Sequence, residues 1–281
     1  MADYLMRDQS PLTAQEWQAL DRAVVQVARR NLVARRFISL FGPVGAGVQS
    51  LAADRYAGGE RGRIGVFAAE EEDTIAVQSR RFVPLPILHS DFRLHWRDLE
   101  TSRRLGTPLD TTGAALAAAA VAHSEDRLIL NGYDDLQQSG FLNAEGRQML
   151  PLGNWGAPGG AFASVVDAVR ALNQAGFAGP LTLVAPPGLF AQLNRVFDNT
   201  AVLEIDQIRR LTRGGVYSSP ALPDNVAVVV AAGAENMDLL VAQDMMTAFL
   251  ETTAMEHHLR VLEMLSLRVK RPAAIVTLGQ V

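Results

Sequence analysis

One long helix, predicted over residues 108–132, constrains the fold of this chain more than any other segment. Three residues at its start carry side-chain oxygens that cap free backbone N–H groups, namely Asp110, Thr111 and Thr112. Asn131-Gly132 provides a left-handed stop at its other end. Residues 114–122 are apolar on every face, so we expect the first half of the helix to be buried all round. The apolar run is shorter than the roughly 20 residues that cross a membrane, so the helix is predicted to be a strut inside a core.

The composition favours a large core or a surface hidden against partners, because 48% of the 281 residues are hydrophobic. The net charge of −4 gives no general reason to bind DNA or RNA. There is no cysteine, which excludes disulfides, thiolate catalysis and cysteine-ligated metal sites. The first ten residues lack the apolar stretch of a signal peptide, so we expect a cytoplasmic protein.

A first helix is predicted over residues 14–36, with Thr13 and Glu16 forming a capping box at its start. Its apolar positions fall on one stripe, comprising Trp17, Leu20, Val24, Val27 and Ala28. Its arginines spread over the opposite face, at Arg22, Arg29, Arg30 and Arg36. A basic amphipathic helix suits a membrane surface or a transit peptide, but nearby acidic residues argue against both. A core-packed helix with a basic side facing solvent or a partner is favoured.

A hairpin with few core residues is predicted over residues 53–81, where two short strand-like pieces flank the acidic run 70–73. A two-stranded ribbon is marginal by itself in water, so we infer that another subunit supports it. A floppy surface hairpin is the alternative. The preceding glycine-rich stretch, residues 42–50, does not match a nucleotide-binding motif and is predicted to be a turn.

The rest of the chain predicts a mixed α+β architecture with one inserted subdomain. Residues 84–96 are extended by pattern, and a loop rich in glycine and proline covers 141–160. Alternating helices and buried strands follow over 164–231, and the pattern returns to strands from residue 237 onwards.

No catalytic or metal-binding motif is present in the sequence. The five histidines do not form a ligand set, and His257 and His258 are adjacent in a predicted strand, so they point to opposite faces. Glu125 and Asp126 are neighbours on a helix, where adjacent side chains diverge. The acidic run at 70–73 lacks the spacing of a calcium loop, and a solvated turn is favoured. We therefore predict no catalytic residue, no metal and no cofactor.

Six segments carry a family resemblance through their order and spacing. They are SPLTAQEWQALD at 10–21, ARRFISLFGPVGAG at 34–47, PLPILHSDFRLHWRDLE at 84–100, AHSEDRLILNG at 122–132, IRRLTRGGVYSSP at 208–220, and ENMDLLVAQDM with RVLEMLSLRV near the end. Along essentially its full length the chain thus resembles the encapsulin family of bacterial nanocompartment shell proteins, which share the fold of the HK97-type phage major capsid protein.

The resemblance implies an α+β fold of the HK97 type with four parts. These are an N-terminal arm with an interior-facing helix (1–40), an extended-loop hairpin (41–83), a peripheral domain with a long spine helix (84–150 and 236–271), and an axial domain (151–235 and 272–281). This division agrees with the residue-level interpretation, in which the long helix is a strut and the hairpin needs outside support.

The resemblance also implies self-assembly into an icosahedral shell of about 60, about 180 or more copies. The shell would enclose a cargo enzyme recruited through its C-terminal targeting peptide, either a ferritin-like iron oxidase for iron storage or a dye-decolourising peroxidase. Small ions would pass through pores. The chain itself would then be no enzyme, would bind neither nucleic acid nor membrane, and would stay in the bacterial cytoplasm.

Two sets of site residues follow from the resemblance. The stripe of Trp17, Leu20, Val24 and Val27 would lie near the docked cargo peptide. The loop of Asp198, Asn199 and Thr200 would lie near the five-fold pore. The turn at 42–49 departs from the family, which often has an aromatic residue and an acid where this chain has Val44, Ala46, Gly47 and Val48. Contacts made by that turn are therefore not carried over.

Two other functions remain open at this point. A phage or prophage major capsid protein of the same fold would be recognised by neighbouring portal, terminase and scaffold genes. A stand-alone soluble enzyme would run as a monomer or small oligomer with its own turnover. The sequence contains neither the identity of the cargo nor the size of the shell, and it does not fix the pore selectivity.

Overall fold

A computed structural model describes residues 3–57, 75–197 and 200–280. The elements of the first half are α1 (Ala14–Asn31), β1 (Leu40–Phe41), β2 (Ser50–Ala57), β3 (Ala76–Pro84), β4 (Ile87–His95), α2 (Trp96–Leu105) and α3 (Thr112–Asn131). Those of the second half are β5 (Gln148–Leu150), α4 (Gly160–Gln174), β6 (Leu181–Ala185), α5 (Pro187–Gln192), α6 (Glu204–Thr212), β7 (Arg213–Ser218), β8 (Ala227–Val230), β9 (Met237–Thr253), β10 (Glu256–Val269) and β11 (Ile275–Leu278). Helices and sheets are mixed, as the α+β prediction requires.

A four-stranded sheet in the order β1-β9-β10-β4 forms the centre of one half of the molecule. Strands β9 and β10 make a long antiparallel hairpin, β4 pairs antiparallel with β10, and β1 lies parallel to β9. Helices α1 and α3 pack against each other and against this sheet. Their shared core is apolar and includes Phe92, Leu94, Val121, Phe249 and Leu259.

Helix α3 ends as predicted at Asn131-Gly132, but it begins at Thr112 rather than at residue 108. At its start the Thr112 N–H donates to Asp110 Oδ1 at 2.8 Å. Gly132, with φ 78°, ends it by donating its N–H to the Leu128 carbonyl. The prediction of all-round burial was wrong for the isolated subunit, because Leu116 is 68% exposed. The sheet and α1 cover only part of the helix surface, so one side stays open.

A second, five-stranded sheet in the order β5-β11-β8-β6-β7 carries the other core. Its central strands β6, β8 and β11 are buried at every position, as expected for strands covered on both faces. Helices α4, α5 and α6 belong to this half of the molecule and contribute to its core. Strand β5 belongs to this sheet although it precedes the predicted axial-domain limit at residue 151.

The predicted hairpin is present as strands β2 and β3, which pair antiparallel from Ser50↔Pro84 to Ala57↔Ala76. Ala53 and Val83 bury its base against Leu240 and Ala242 of β9. The rest of β3 is exposed from residue 76 to residue 80. The predicted strand piece at 63–67 and the acidic run at 70–73 lie outside the described residues.

Candidate functional site

A groove of about 400 Å³ runs beside α1, between the helix and strand β9. Its lining is partly apolar and partly charged, comprising Val24, Val25, Ala28, Arg29, Leu32, Arg35, Arg36, Asp244 and Met245. Val25 is 44% exposed, which leaves an apolar side chain open on the helix surface. The groove therefore offers an apolar wall bordered by charges.

Arg35 joins the groove to a buried ionic cluster. Its Nε donates to the two carboxylate oxygens of Glu125 at 2.8 and 2.9 Å. Nη1 donates to Asp244 Oδ1 at 2.6 Å and Nη2 to Glu263 Oε2 at 2.9 Å. Glu125 and Glu263 are both 0% exposed. One guanidinium thus contacts three carboxyl groups, and two of these are buried. Burying all of these charges would carry a large desolvation cost, so we expect at least one carboxyl group to be neutral.

The excess of carboxyl groups over cations indicates that one carboxyl group of the cluster is protonated. Burial raises the pKa of Glu263 well above its usual range, and the neighbouring charge of Glu125 raises it further. Burial also raises the pKa of Glu125, against the lowering effect of Arg35 and of a hydrogen bond with Glu263. We infer that Glu263 holds the proton and that Glu125 stays charged beside Arg35. For Arg35, the three carboxyl groups outweigh burial and raise the pKa, so it stays charged.

Asp126, the next residue of α3, fixes the turn that follows α1. Its carboxylate accepts from the Val33 N–H at 3.0 Å and from the Ala34 N–H at 2.9 Å. Burial raises the pKa of Asp126 to about 7 although these two N–H donors lower it. The predicted first helix ends at Asn31 rather than Arg36, and a single 3₁₀ turn follows at Ala34–Arg36. The helix stops because the N–H groups of Val33 and Ala34 donate to Asp126 and not to helix carbonyls.

Replacing Glu263 with glutamine should stabilise the protein at alkaline pH. A carboxyl whose folded pKa is raised costs no stability below its unfolded value of 4.5, and the cost grows as the pH rises above it. The glutamine side chain would keep the donor to Glu125 and the acceptor of the original carboxyl without that cost. We expect the variant to match the parent at about pH 4 and to exceed its stability by at least about 1 kcal/mol at about pH 8. Thermal unfolding at the two pH values measures this.

The matched control is Glu125→Gln, which removes the carboxylate that pairs with Arg35. We expect this variant to be less stable than the parent at both pH values, because the Arg35 guanidinium loses the buried carboxylate whose two oxygens accept from its Nε. Equal behaviour of the two glutamine variants would show that the proton is not held on Glu263.

The stripe predicted to lie near the cargo peptide, Trp17, Leu20, Val24 and Val27, is buried in the core and does not form an open surface. Leu20 is 0% exposed and Trp17 is 8% exposed, with its indole Nε1 donating to Ser10 Oγ at 3.0 Å. Val24 and Val27 are buried in the same cluster, and only Val24 also lines the groove. Of the predicted pore residues, Asp198 and Asn199 lie outside the described residues, and Thr200 is exposed in the loop between α5 and α6.

The ionic cluster was missed by sequence reasoning. Glu125 and Asp126 do diverge, as predicted, but both point inward, one to Arg35 and the other to the backbone N–H groups after α1. A signal was available, because position 125 lies three and four residues after the apolar positions Ala122 and Val121 and so shares their face of α3.

No metal site and no membrane helix emerge from the part of the chain described. Within residues 3–57, 75–197 and 200–280, no three His, Asp or Glu side chains form a group that could hold a metal ion. Nor does any helix in those ranges combine the length and the apolarity needed to cross a membrane. His257 and His258 lie in β10 as predicted, and His257 contacts Thr252 Oγ1 at 2.9 Å.

The fold is that of virus-type shell proteins. The virus-like particle from Pyrococcus furiosus superposes with a TM-score of 0.77 at 21% identity, covering 93% of this chain and 98% of the other. The capsid of Myoviridae phage XM1 superposes with a TM-score of 0.63 at 11% identity, covering 88% and 91%. These matches define the fold as the HK97-type capsid fold and confirm the predicted fold.

The sequence comparisons then specify the family. The family model Linocin_M18, described as an encapsulating protein for peroxidase, matches residues 2–266. The type 1 encapsulin shell protein EncA of Myxococcus xanthus (strain DK1622) is 45% identical over 278 residues, which are 99% of this chain and 97% of EncA. The chain belongs to the encapsulin family of shell proteins, and the resemblance drawn from its six segments is confirmed.

Proposed function

We propose that this shell protein assembles by laying the β2–β3 hairpin on a neighbouring copy, and that the copies close into an icosahedral particle in the cytoplasm. The exposure of the β2–β3 hairpin in the single subunit supports this proposal. Its large apolar side chains face water in the single subunit, with Phe82 69%, Ile75 65%, Tyr56 56% and Val77 48% exposed. A soluble protein does not leave such a set open on a two-stranded ribbon without covering it.

Each contact in such a shell is heterologous, since the hairpin of one copy meets a different surface of the next. Contacts of this kind form a closed object only if the rotation between copies closes. We assign α1 to the N-terminal arm, strands β4, β9 and β10 with α2 and α3 to the peripheral domain, and the five-stranded sheet with α4, α5 and α6 to the axial domain. Electron micrographs of the purified protein should show uniform hollow particles, whereas open sheets or small oligomers would contradict closure.

The groove beside α1 is the proposed docking site for a cargo enzyme. An extended apolar peptide suits its apolar lining of Val25, Ala28, Leu32 and Met245, which the charged residues Asp244 and Arg29 border. The description of the family as encapsulating a peroxidase supports a peroxidase cargo, and the family resemblance also allows a ferritin-like iron oxidase. The catalysis would belong to that cargo.

Val25→Asp should reduce cargo loading at least about tenfold, because a carboxylate in the apolar wall must be desolvated when a peptide docks. Val25 is suited to the test since it is exposed, whereas Trp17 and Leu20 are core residues whose loss would unfold the helix. The measurement is the amount of a fluorescent protein, tagged with the C-terminal tail of the co-encoded enzyme, that purifies with the shell.

Gln26→Asp is the matched control, because it places the same charge at an exposed position of α1 outside the groove. Loading should be unchanged in this variant. Equal loading of the Val25→Asp shell and the parent shell would place the docking site elsewhere.

A role at the five-fold pore for Asp198, Asn199 and Thr200 stays a proposal. It is supported by the position of Thr200, which lies exposed in the loop between α5 and α6 of the assigned axial domain.

A further inference from the structure

A second cavity lies between the end of α1, helix α3 and the segment after β7. Its volume is about 320 Å³. It is lined by Arg30, Asn31, Val33, Arg36, Ala119, His123, Asp126, Ser218 and Pro220. The cavity shares Arg36 with the cargo groove, but its other lining residues lie outside that groove. The basic residues on its walls determine which ligands it can bind.

Arg36 is held in place by two backbone carbonyls and an aromatic ring, and none of these groups carries a negative charge. Its Nε donates to the Leu32 carbonyl at 3.0 Å and its Nη2 to the Arg30 carbonyl at 2.8 Å. The guanidinium also lies over the ring of Tyr217, with its carbon 5.9 Å from the ring centroid. Among the ion pairs of the described residues, none involves Arg30 or Arg36. The cavity thus holds two guanidinium charges without a carboxylate partner, one of them already ordered.

Among the described residues that line the cavity, Asp126 is the one acidic residue, and it forms no ion pair with Arg30 or Arg36. Asp126 is 3% exposed, and its oxygens accept from the backbone N–H groups of Val33 and Ala34. This differs from the other side of α1, where Arg35 meets three carboxyl groups. The exposed imidazole of His123 and the hydroxyl of Ser218 add further hydrogen-bond donors to the cavity.

We propose that this cavity binds a phosphate group. Guanidinium groups match the oxygens of a phosphate with paired N–H donors, and a tetrahedral anion can accept from several walls at once. Because Arg36 is ordered before the ligand arrives, less conformational freedom is lost on binding. The cavity is large enough for more than one phosphate unit, so the source is either free phosphate or a short polyphosphate chain.

The test is equilibrium dialysis of the purified assembled shell against inorganic phosphate and, in a parallel arm, tripolyphosphate. Arg30→Gln and Arg36→Gln should each weaken binding about tenfold or more, the loss typical of a charge-assisted hydrogen bond. Tighter binding of tripolyphosphate than of phosphate would identify a chain as the ligand, and the reverse would identify the free ion.

Arg22→Gln is the matched control, because Arg22 is an exposed arginine of α1 outside the cavity. It should bind phosphate like the parent shell. Arg30→Gln decides the outcome if Arg36→Gln does not assemble, because the Arg30 side chain makes no hydrogen bond among the described residues. Equal weakening in Arg22→Gln, or no binding up to about 10 mM phosphate, would overturn the proposal.

Discussion

Arg35→Ala is expected to lower the free energy of unfolding by about 3–5 kcal/mol, the usual cost of removing one partner from a buried ion pair. The substitution would leave Glu125 and Glu263 fully buried with no cation in contact, since Arg35 is the basic side chain that pairs with both. The Glu125 carboxylate would then be neutralised only by taking up a proton. Thermal unfolding of the variant shell measures the loss.

Two further variants separate the ionic effect from lost packing. Adding Glu125→Gln and Glu263→Gln to Arg35→Ala should recover most of the stability, because the neutral amides no longer need a cation. Arg22→Ala, which removes an exposed arginine from α1, should change stability by no more than about 0.5 kcal/mol. If Arg35→Ala unfolds at the temperature of Arg22→Ala, the cluster does not stabilise the subunit.

Phe82→Asp is expected to abolish assembly while leaving the subunit folded. Phe82 is 69% exposed in the subunit, so a charge there costs little in the isolated chain. In the assembled shell the same side chain would be covered by a neighbouring copy, and an unpaired buried carboxylate costs several kcal/mol per contact. Because every copy carries the substitution, the cost is repeated at each contact around the particle. Size-exclusion chromatography with circular dichroism reads out both properties.

Phe82→Leu serves as the control, because it keeps an apolar side chain at the same place. We expect it to assemble like the parent protein. Intact particles from Phe82→Asp would show that this part of the hairpin is not an intersubunit contact.

Local signals made several elements predictable. The capping box of α1 is present as written in the sequence, with the Glu16 N–H donating to Thr13 Oγ1 at 3.3 Å and the Thr13 N–H donating to Glu16 Oε2 at 2.7 Å. The end of α3 follows from its glycine stop at Gly132, and β6 coincides with the predicted strand at 181–185. These features depend on residues within a few positions of one another, which is why sequence alone identified them.

The features that define the site depend on contacts between distant parts of the chain. Arg35 lies 90 positions from Glu125 and 228 from Glu263, so no local spacing reveals their pairing. Helix α2 was not assigned from sequence, because its ten residues are mostly polar and only Leu99 is buried. Leu116 is exposed because of which elements pack against α3, and the hydrophobic periodicity of the sequence does not reveal those elements.

We propose that the hairpin β2–β3 is stable only when a neighbouring copy covers it, and that the functional unit is therefore a closed shell. Sedimentation velocity of dilute native protein tests this most directly. We expect a single boundary of at least about 1.8 MDa, the mass of about 60 subunits of 30.4 kDa each. A boundary at the mass of one folded subunit, with its hairpin protected from hydrogen exchange, would contradict it.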